Sequence, residues 1–312
     1  MTGKGISDSE KYHKLKQCAT ERGALSILAI DHRNNLRKSL NPQDPSRVGD
    51  EELIDFKISV VKNLSSESTA VLIDPQYGAR QVLDGGALPE KTGLIVAIEK
   101  TGYTGDPASR VSELLPDWTP HKINQLGASG VKLLVYYHPD SRTAGEIEHL
   151  IQQVAESCGE TGIPLFLEPL SYSLDPGQGK LPSAERLRVV IETARRLTRF
   201  PGVDILKAEF PLDISAGPDE AEQIFACRDL TEASAVPWIL LSAGVDFETY
   251  LEQLKLACKA GASGAAVGRA VWKEAVDLNA SEREKFLSKV ASRRMARVTA
   301  ICDEFANSWM DA

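Results

Sequence analysis

Lys207 stands inside the run Val203-Asp-Ile-Leu-Lys-Ala-Glu-Phe-Pro211, which otherwise has the composition of a buried strand. On the two-residue alternation of a strand, Val203, Ile205, Lys207 and Glu209 share one face while Leu206, Ala208 and Phe210 share the other. An ammonium has no cheap route to water from a strand covered on both sides, so it requires a partner or a task. The task that lysine chemistry offers is attack on a carbonyl. An amine with the ordinary pKa of about 10.4 is neutral only about 4 times in 10,000 at pH 7; burial, or a second cation such as Lys132 nearby, raises that fraction. The iminium formed on a ketone is an electron sink that stabilises a carbanion on the next carbon, which is what cleavage between two hydroxylated carbons requires. Two acid–base groups must accompany it, one to dehydrate the carbinolamine and one to take the hydroxyl proton, and Glu168 and Asp31 are positioned for these roles. The structural alternatives are an ion pair of Lys207 with Glu209 or Glu168, and a helix cap for Asp31.

A second chemistry shows in Ser242-Ala-Gly244 and Gly268-Arg269. Together they offer a hydroxyl, glycines for close backbone approach and one guanidinium, the parts of a phosphate cradle. Each pattern alone is weak, because tight strand-to-helix turns need glycine anyway. The histidines (His13, His32, His121, His138 and His149) form no close pair, so no metal site is expected; His32 and His138 could lie at strand ends and read as substrate-contacting or surface residues. The five cysteines are odd in number, scattered and free of a C-x-x-C pair, as packing residues are.

Positioning these groups requires elements in a definite order. Eight short apolar runs recur at 24–31, 69–74, 93–99, 130–137, 163–168, 203–209, 237–243 and 262–269. Helical stripes lie at 51–64, 143–160, 184–199, 218–233 and 247–260, with Gly261 as a helix stop. Alternation of strand and helix forces parallel strands, and eight such units are the number that closes a (β/α)8 barrel. An open doubly wound sheet would want a Gly-rich turn after its first strand, where Asp31-His-Arg-Asn-Asn35 stands instead. On the barrel every candidate falls at a strand's C-terminal end, where barrel enzymes build their sites. Ser281-Glu-Arg-Glu284 has the form of a capping box opening an additional C-terminal helix, with Leu287, Ala291, Met295, Val298 and Phe305 inward. Residues 1–21 read as an additional N-terminal helix closing the barrel bottom. Nothing splits the chain, so residues 1–312 read as one barrel domain. The segments 171–182 and 212–218 are long enough to be mobile lids.

The net charge of −8 argues against nucleic acid or an anionic membrane as partner, so an anionic ligand must be held by a few placed cations. No apolar run reaches the length of a membrane span and the first twenty residues are too polar for a signal peptide, which makes cytoplasm the expected location.

The blocks Leu-Ala-Ile-Asp31-His-Arg33, Leu-Ile-Asp-Pro75-Gln-Tyr-Gly78, Glu99-Lys-Thr-Gly-Tyr103, Val-Lys132-Leu-Leu-Val-Tyr-Tyr137, Phe-Leu-Glu168, Leu-Lys207-Ala-Glu209-Phe-Pro211, Leu-Ser242-Ala-Gly-Val245 and Gly268-Arg-Ala-Val-Trp272 stand in one order. In this they resemble the class I tagatose-1,6-bisphosphate aldolases and their close relatives, the sulfofructosephosphate aldolases. The resemblance implies a TIM barrel that reversibly cleaves a ketohexose bisphosphate, most of all tagatose 1,6-bisphosphate, to dihydroxyacetone phosphate and glyceraldehyde 3-phosphate. It implies no metal or organic cofactor, and a homo-oligomer. Lys207 then matches the Schiff-base lysine, Glu168 the glutamate working on the carbinolamine and the scissile bond, Lys132 the second lysine and Asp31 the aspartate on substrate hydroxyls. Ser242, Gly244, Gly268 and Arg269 match the phosphate cradle. One departure matters: the family usually reads Asp-Gln-Arg-Gly after strand one, where this chain has Asp31-His32-Arg33-Asn34. Glu99-Lys-Thr-Gly-Tyr103 and Leu115-Pro-Asp-Trp118 look more like the tagatose enzymes, Glu168-Pro169 and Pro237-Trp-Ile-Leu-Leu-Ser242 more like the sulfosugar branch. The contrasting class is a catalytically silent sugar-phosphate-binding regulator, which would gain nothing from a poised amine.

Overall fold

A computed structural model describes residues 10–178 and 180–311. Each of the eight apolar runs forms a strand, the fifth extending two residues past its run: β1 (Leu25–Ile30), β2 (Ala70–Ile73), β3 (Gly93–Ala97), β4 (Gly130–Tyr136), β5 (Leu165–Leu170), β6 (Ile205–Ala208), β7 (Trp238–Leu241) and β8 (Gly264–Val267). Neighbours pair in parallel, and the sheet closes on itself in the order β1-β8-β7-β6-β5-β4-β3-β2. Parallel neighbours cannot be joined by tight turns, so a helix or long loop crosses between them. The helices are α1 (Glu10–Gln17), α2 (Asn34–Leu40), α3 (Asp50–Leu64), α4 (Ala79–Asp84), α5 (Pro120–Gln125), α6 (Ala144–Thr161), α7 (Ser183–Leu197), α8 (Glu220–Ala233), α9 (Phe247–Lys259), α10 (Arg269–Trp272), α11 (Ala280–Phe286) and α12 (Ser292–Phe305). The five stripes read from the sequence are α3, α6, α7, α8 and α9. Gly261, just past α9, has φ +116°, and a Cβ there would meet the Thr231 side chain at 2.6 Å, so a helix stop at that point needs glycine.

Strand alternation sorts the apolar residues into two cores. Leu25, Ile27, Ala29, Leu72, Ile95, Phe166, Ile205, Ile239 and Ala266 point inward and fill the barrel. Leu28, Ile30, Val71, Ile73, Val96, Leu133, Leu167, Leu206 and Ala208 point outward under the helices. Gly130 is the inward residue where Phe166 needs room: a Cβ on it would lie 2.7 Å from that ring. The floor of the barrel is closed by Leu15 and Cys18 from the N-terminal side and Trp309 from the C-terminal side. Tyr12 packs on Trp309 with ring centroids 5.3 Å apart, and the Trp309 backbone N–H donates to Gly23 O at 3.1 Å. The expected N-terminal helix is therefore present as α1, and residues 1–9 of that expectation lie outside the described residues.

Three local readings change. The additional C-terminal helix starts at Ala280, capped by the Asn279 side chain, which accepts from Glu282 N at 3.1 Å; Ser281 lies within the first turn and does not cap it. The reciprocal capping box of this chain is Asp219 with Glu222, at the start of α8. Leu287, Ala291, Met295 and Val298 are buried as expected, and Cys302 joins them while Phe305 packs at the rim. A hairpin, Thr104–Asp106 with Ser109–Val111, occupies the β3–β4 connection; its strands are too short and exposed to leave a periodic signature. All five cysteines are buried and free, with burial pushing the Cys18, Cys158 and Cys227 thiols up to about 12.

Candidate active site

Counting upward along the inward face of each strand leads out of the apolar plug into a polar layer. Ala29 is followed by Asp31, Ala97 by Glu99, Phe166 by Glu168 and Ile205 by Lys207; Lys132 sits lower, level with Phe166, and its long stem carries its ammonium up to the same layer. These groups line a cavity of about 310 Å³ at the C-terminal ends of the strands, within the range of small-molecule sites. His32, Ser242, Gly268 and Arg269 line it too. Gly244 lies just outside: a Cβ on it would sit 3.1 Å from Arg269 Nη2, so its bare backbone makes room for the guanidinium. Ala243, between Ser242 and Gly244, has φ +46°, an unusual backbone held at the cavity wall.

Lys132 is the electrostatic centre. Its ammonium is 1% exposed and reaches Asp31 Oδ2 at 2.7 Å, Glu99 Oε1 at 2.8 Å and Glu168 Oε2 at 3.0 Å. Burial opposes the charged amine, but Asp31, Glu168 and Glu99 outweigh it and hold its pKa well above the ordinary lysine range. Burial would likewise raise the Asp31 carboxyl, yet Lys132 and Lys207 hold it well below the usual carboxylate range. The sequence reading cast Lys132 as a free cation beside Lys207; its charge is instead compensated by three carboxylates, and it meets Lys207 through a shared atom. Lys207 Nζ lies 2.8 Å from the same Glu168 Oε2. Neither contact has hydrogen-bond geometry, so the oxygen that both ammoniums approach has no in-line donor.

The structural alternatives sort out by position. Lys207 does pair with Glu168, whereas Glu209 turns to Ser171 N at 2.8 Å and Arg186 at 3.3 Å. Asp31 caps nothing; Arg33 is the residue before α2, which has no side-chain cap. His32 lies edge-on to Trp272 at 5.4 Å and close to Gly268, whose Cβ would be 3.2 Å from its Cε1. Burial pushes its pKa down to about 4, against the pull of Asp31 and helped by Arg269, so the ring is neutral near pH 7. Among the described residues no group of three or more His, Cys, Asp and Glu side chains is arranged to hold a metal ion. Also among them, no helix is long and apolar enough to cross a membrane.

Sequence reasoning places Glu99 and Arg33 at strand ends without giving them a role, and passes over Lys57. Glu99 binds Lys132 and accepts from Leu134 N at 3.0 Å; the inward count from Ile95 and Ala97 points to it. Arg33 is buried in the wall, donating to Glu99 O at 2.6 Å and Gln76 Oε1 at 3.2 Å. Lys57 of α3 is fully buried, donates to Ile30 O at 2.7 Å and His32 O at 2.8 Å, and pairs with buried Asp74. It thereby pins the end of β1 that carries Asp31. Its signal is a lysine on the apolar stripe of Leu53, Phe56, Val60, Val61 and Leu64.

Residues 25–274 match the DeoC/LacD family aldolases. Tagatose 1,6-diphosphate aldolase 1 of Enterococcus faecalis is 32% identical over 292 residues, covering 88% of this chain and 87% of that one. The tagatose 1,6-diphosphate aldolase of Streptococcus agalactiae is 30% identical, covering 98% and 99%, and that of Staphylococcus aureus 28%, covering 96% and 98%. Among solved structures, an archaeal fructose 1,6-bisphosphate aldolase aligns with TM-score 0.58 at 21% identity, over 92% of this chain and 98% of that one. Fructose-bisphosphate aldolase of Plasmodium falciparum aligns with TM-score 0.72 at 12% identity, over 95% of each chain. At those identities the structures share the barrel fold.

Proposed function

The chain belongs to the DeoC/LacD family of aldolases, and from that premise we propose that it cleaves a ketohexose bisphosphate, preferentially tagatose 1,6-bisphosphate, through an imine on Lys207. The observation that carries this reading is the single Glu168 oxygen shared by Lys207 and Lys132, facing a cradle of Ser242, Gly268 and Arg269 across one cavity. The cradle holds the phosphate on C1, which sets the ketone carbon beside Lys207. Glu168 takes a proton from the Lys207 ammonium, and the neutral amine adds to the carbonyl. The same carboxyl returns the proton to the carbinolamine oxygen, which leaves as water and gives the iminium. Glu168, again a carboxylate, takes the C4 hydroxyl proton as the C3–C4 bond breaks; the bond's electron pair passes into the iminium to form an enamine, and glyceraldehyde 3-phosphate departs. Protonation of the enamine carbon and hydrolysis of the iminium release dihydroxyacetone phosphate and restore the amine. Asp31, kept ionised beside Lys132, accepts a hydrogen bond from a substrate hydroxyl. Glu99 holds Lys132, and Lys132 stabilises oxygens that gain negative charge. The chain acts as one domain over residues 1–312, a reading supported by the packing of α12 on α9 and β1.

Borohydride added with dihydroxyacetone phosphate tests this. Reduction of the iminium leaves a stable mass adduct on Lys207, and Lys207→Ala, folded by circular dichroism, neither labels nor cleaves. An unlabelled protein, or a label on another residue, refutes the assignment.

A further inference from the structure

Charges around the cavity pair off with one exception on each side. Lys207 and Lys132 are neutralised as described, Arg33 lies 3.9 Å from Glu99, and Lys100 and Arg186 are paired with Glu113 and Glu209. Arg269 and Arg110 have no carboxylate within ion-pair distance among the described residues. Arg269 follows β8 on the cradle side. Arg110 is carried by the hairpin between β3 and β4, and in a closed eight-strand barrel the gap between β3 and β4 lies diametrically opposite the gap between β7 and β8.

Arg110 is held where it is. Its guanidinium lies over the rings of Tyr103 at 4.4 Å, Tyr172 at 4.6 Å and Tyr136 at 5.3 Å. Tyr136 is an inward residue of β4, two steps above Lys132, and lines the cavity. Tyr172 is buried and anchored by its hydroxyl to Ser141 Oγ at 2.8 Å. Arg110 spends only Nε on the protein, donating to Pro107 O at 3.0 Å, while its own carbonyl accepts from Thr143 Oγ1 at 3.0 Å. The rings fix the plane of the guanidinium and occupy its faces, so the N–H groups of Nη1 and Nη2, without an acceptor among the described residues, remain for a ligand. A planar, immobilised fork of donors is suited to a tetrahedral oxyanion.

We propose that Arg110 binds the oxyanion at the far end of the substrate, the end that leaves as the aldehyde, opposite the phosphate held by Arg269. This rests on the ketose-bisphosphate reading above and deepens it, because a doubly anionic substrate matches two uncompensated guanidiniums, Arg269 lining the cavity and Arg110 stacked on the lining residue Tyr136. The chemistry is shared by a terminal phosphate and a terminal sulfonate.

The condensation direction tests it, with dihydroxyacetone phosphate as donor and three acceptors: glyceraldehyde 3-phosphate, the three-carbon aldehyde ending in sulfonate, and unsubstituted glyceraldehyde. Arg110→Gln is expected to cut the preference in kcat/KM for the anionic acceptor over glyceraldehyde by about 10- to 100-fold, mostly in KM, and Arg110→Lys to recover part of it. The anionic acceptor that wild type prefers and the variant stops preferring identifies the native oxyanion. Equal losses on all three acceptors mean a structural role for the hairpin and overturn the proposal. A wild-type enzyme that traps the imine but shows no preference for an anionic aldehyde overturns it too, while leaving the Lys207 reading intact.

Discussion

Replacing Lys132 by Met removes one ammonium from the midst of three carboxylates. Asp31, Glu99 and Glu168 then lose partners at 2.7, 2.8 and 3.0 Å and are left facing one another in a nearly dry layer. Breaking a buried ion pair from one side costs about 3–5 kcal/mol. At about 2.1 cal/mol/K per residue, the unfolding entropy of 312 residues is about 0.66 kcal/mol/K, so the loss corresponds to a drop in Tm of about 5–8 °C at pH 7.5. The sign of the pH dependence sharpens the prediction. In wild type, Asp31 titrates lower in the folded state than unfolded, so its stabilisation is complete above the unfolded carboxylate pKa and fades as pH falls through the folded one. In Lys132→Met the crowded carboxyls titrate higher in the folded state than unfolded, so stability falls as pH rises through the carboxylate range. Scanning calorimetry from pH 4.5 to 8 reads this directly: the variant approaches wild type toward pH 4.5 and diverges above pH 6. A Lys132→Met/Glu99→Gln double variant should regain part of the loss, because one uncompensated charge is removed with its partner. A Tm within 1 °C of wild type at pH 7.5, or a pH profile parallel to wild type, refutes the assignment of Lys132 as the counter-charge of the site.

Three further outcomes follow from the geometry. His32, depressed to about 4 against an unfolded value near 6.5, contributes stability that is lost as pH falls from about 6.5 to about 4; His32→Gln should flatten that window by about 3 kcal/mol in urea melts, and an unchanged slope contradicts the buried neutral ring. Gly244→Ala forces a Cβ at φ +78° against Arg269 and should raise KM for the phosphorylated ketose at least about tenfold with a smaller change in kcat, measured by coupled assay; an unchanged KM removes Arg269 from the cradle. Prolonged EDTA treatment should leave cleavage untouched, and activity that falls with EDTA and returns with a divalent ion would overturn the imine chemistry as the whole account.

The barrel and most of its site are legible because both rest on period-two alternation. Once Ile205 is inward, Lys207 must be, and the same count yields Glu168, Asp31 and Glu99, the last given no role from sequence. What escapes is set by contacts between distant elements. Nothing local to α3 says that Lys57 reaches the carbonyls of Ile30 and His32, although its place on an apolar stripe is a warning. Lys132 was visible as a strand lysine, but the count of carboxylates around it depends on β1, β3 and β5 meeting on the axis. The three-residue strands that carry Arg110 have no periodicity to read, and the tyrosines that fix it come from three separate segments. The start of α11 was misplaced by two residues because Asn279 and Ser281 are both good caps, and only the observed hydrogen bond to Glu282 distinguishes them.

The floor of the barrel bears on how the chain acquires its shape. Leu15 and Trp309 seal the same inner core although nearly 300 positions separate them, and Trp309 is fastened to Gly23 rather than to its own neighbourhood. Because Trp309 follows every barrel strand in the chain, its contacts with the floor can form only after all eight strands have been synthesised. Sealing the floor is therefore a contact of very long sequence separation, the kind that closes slowly in folding.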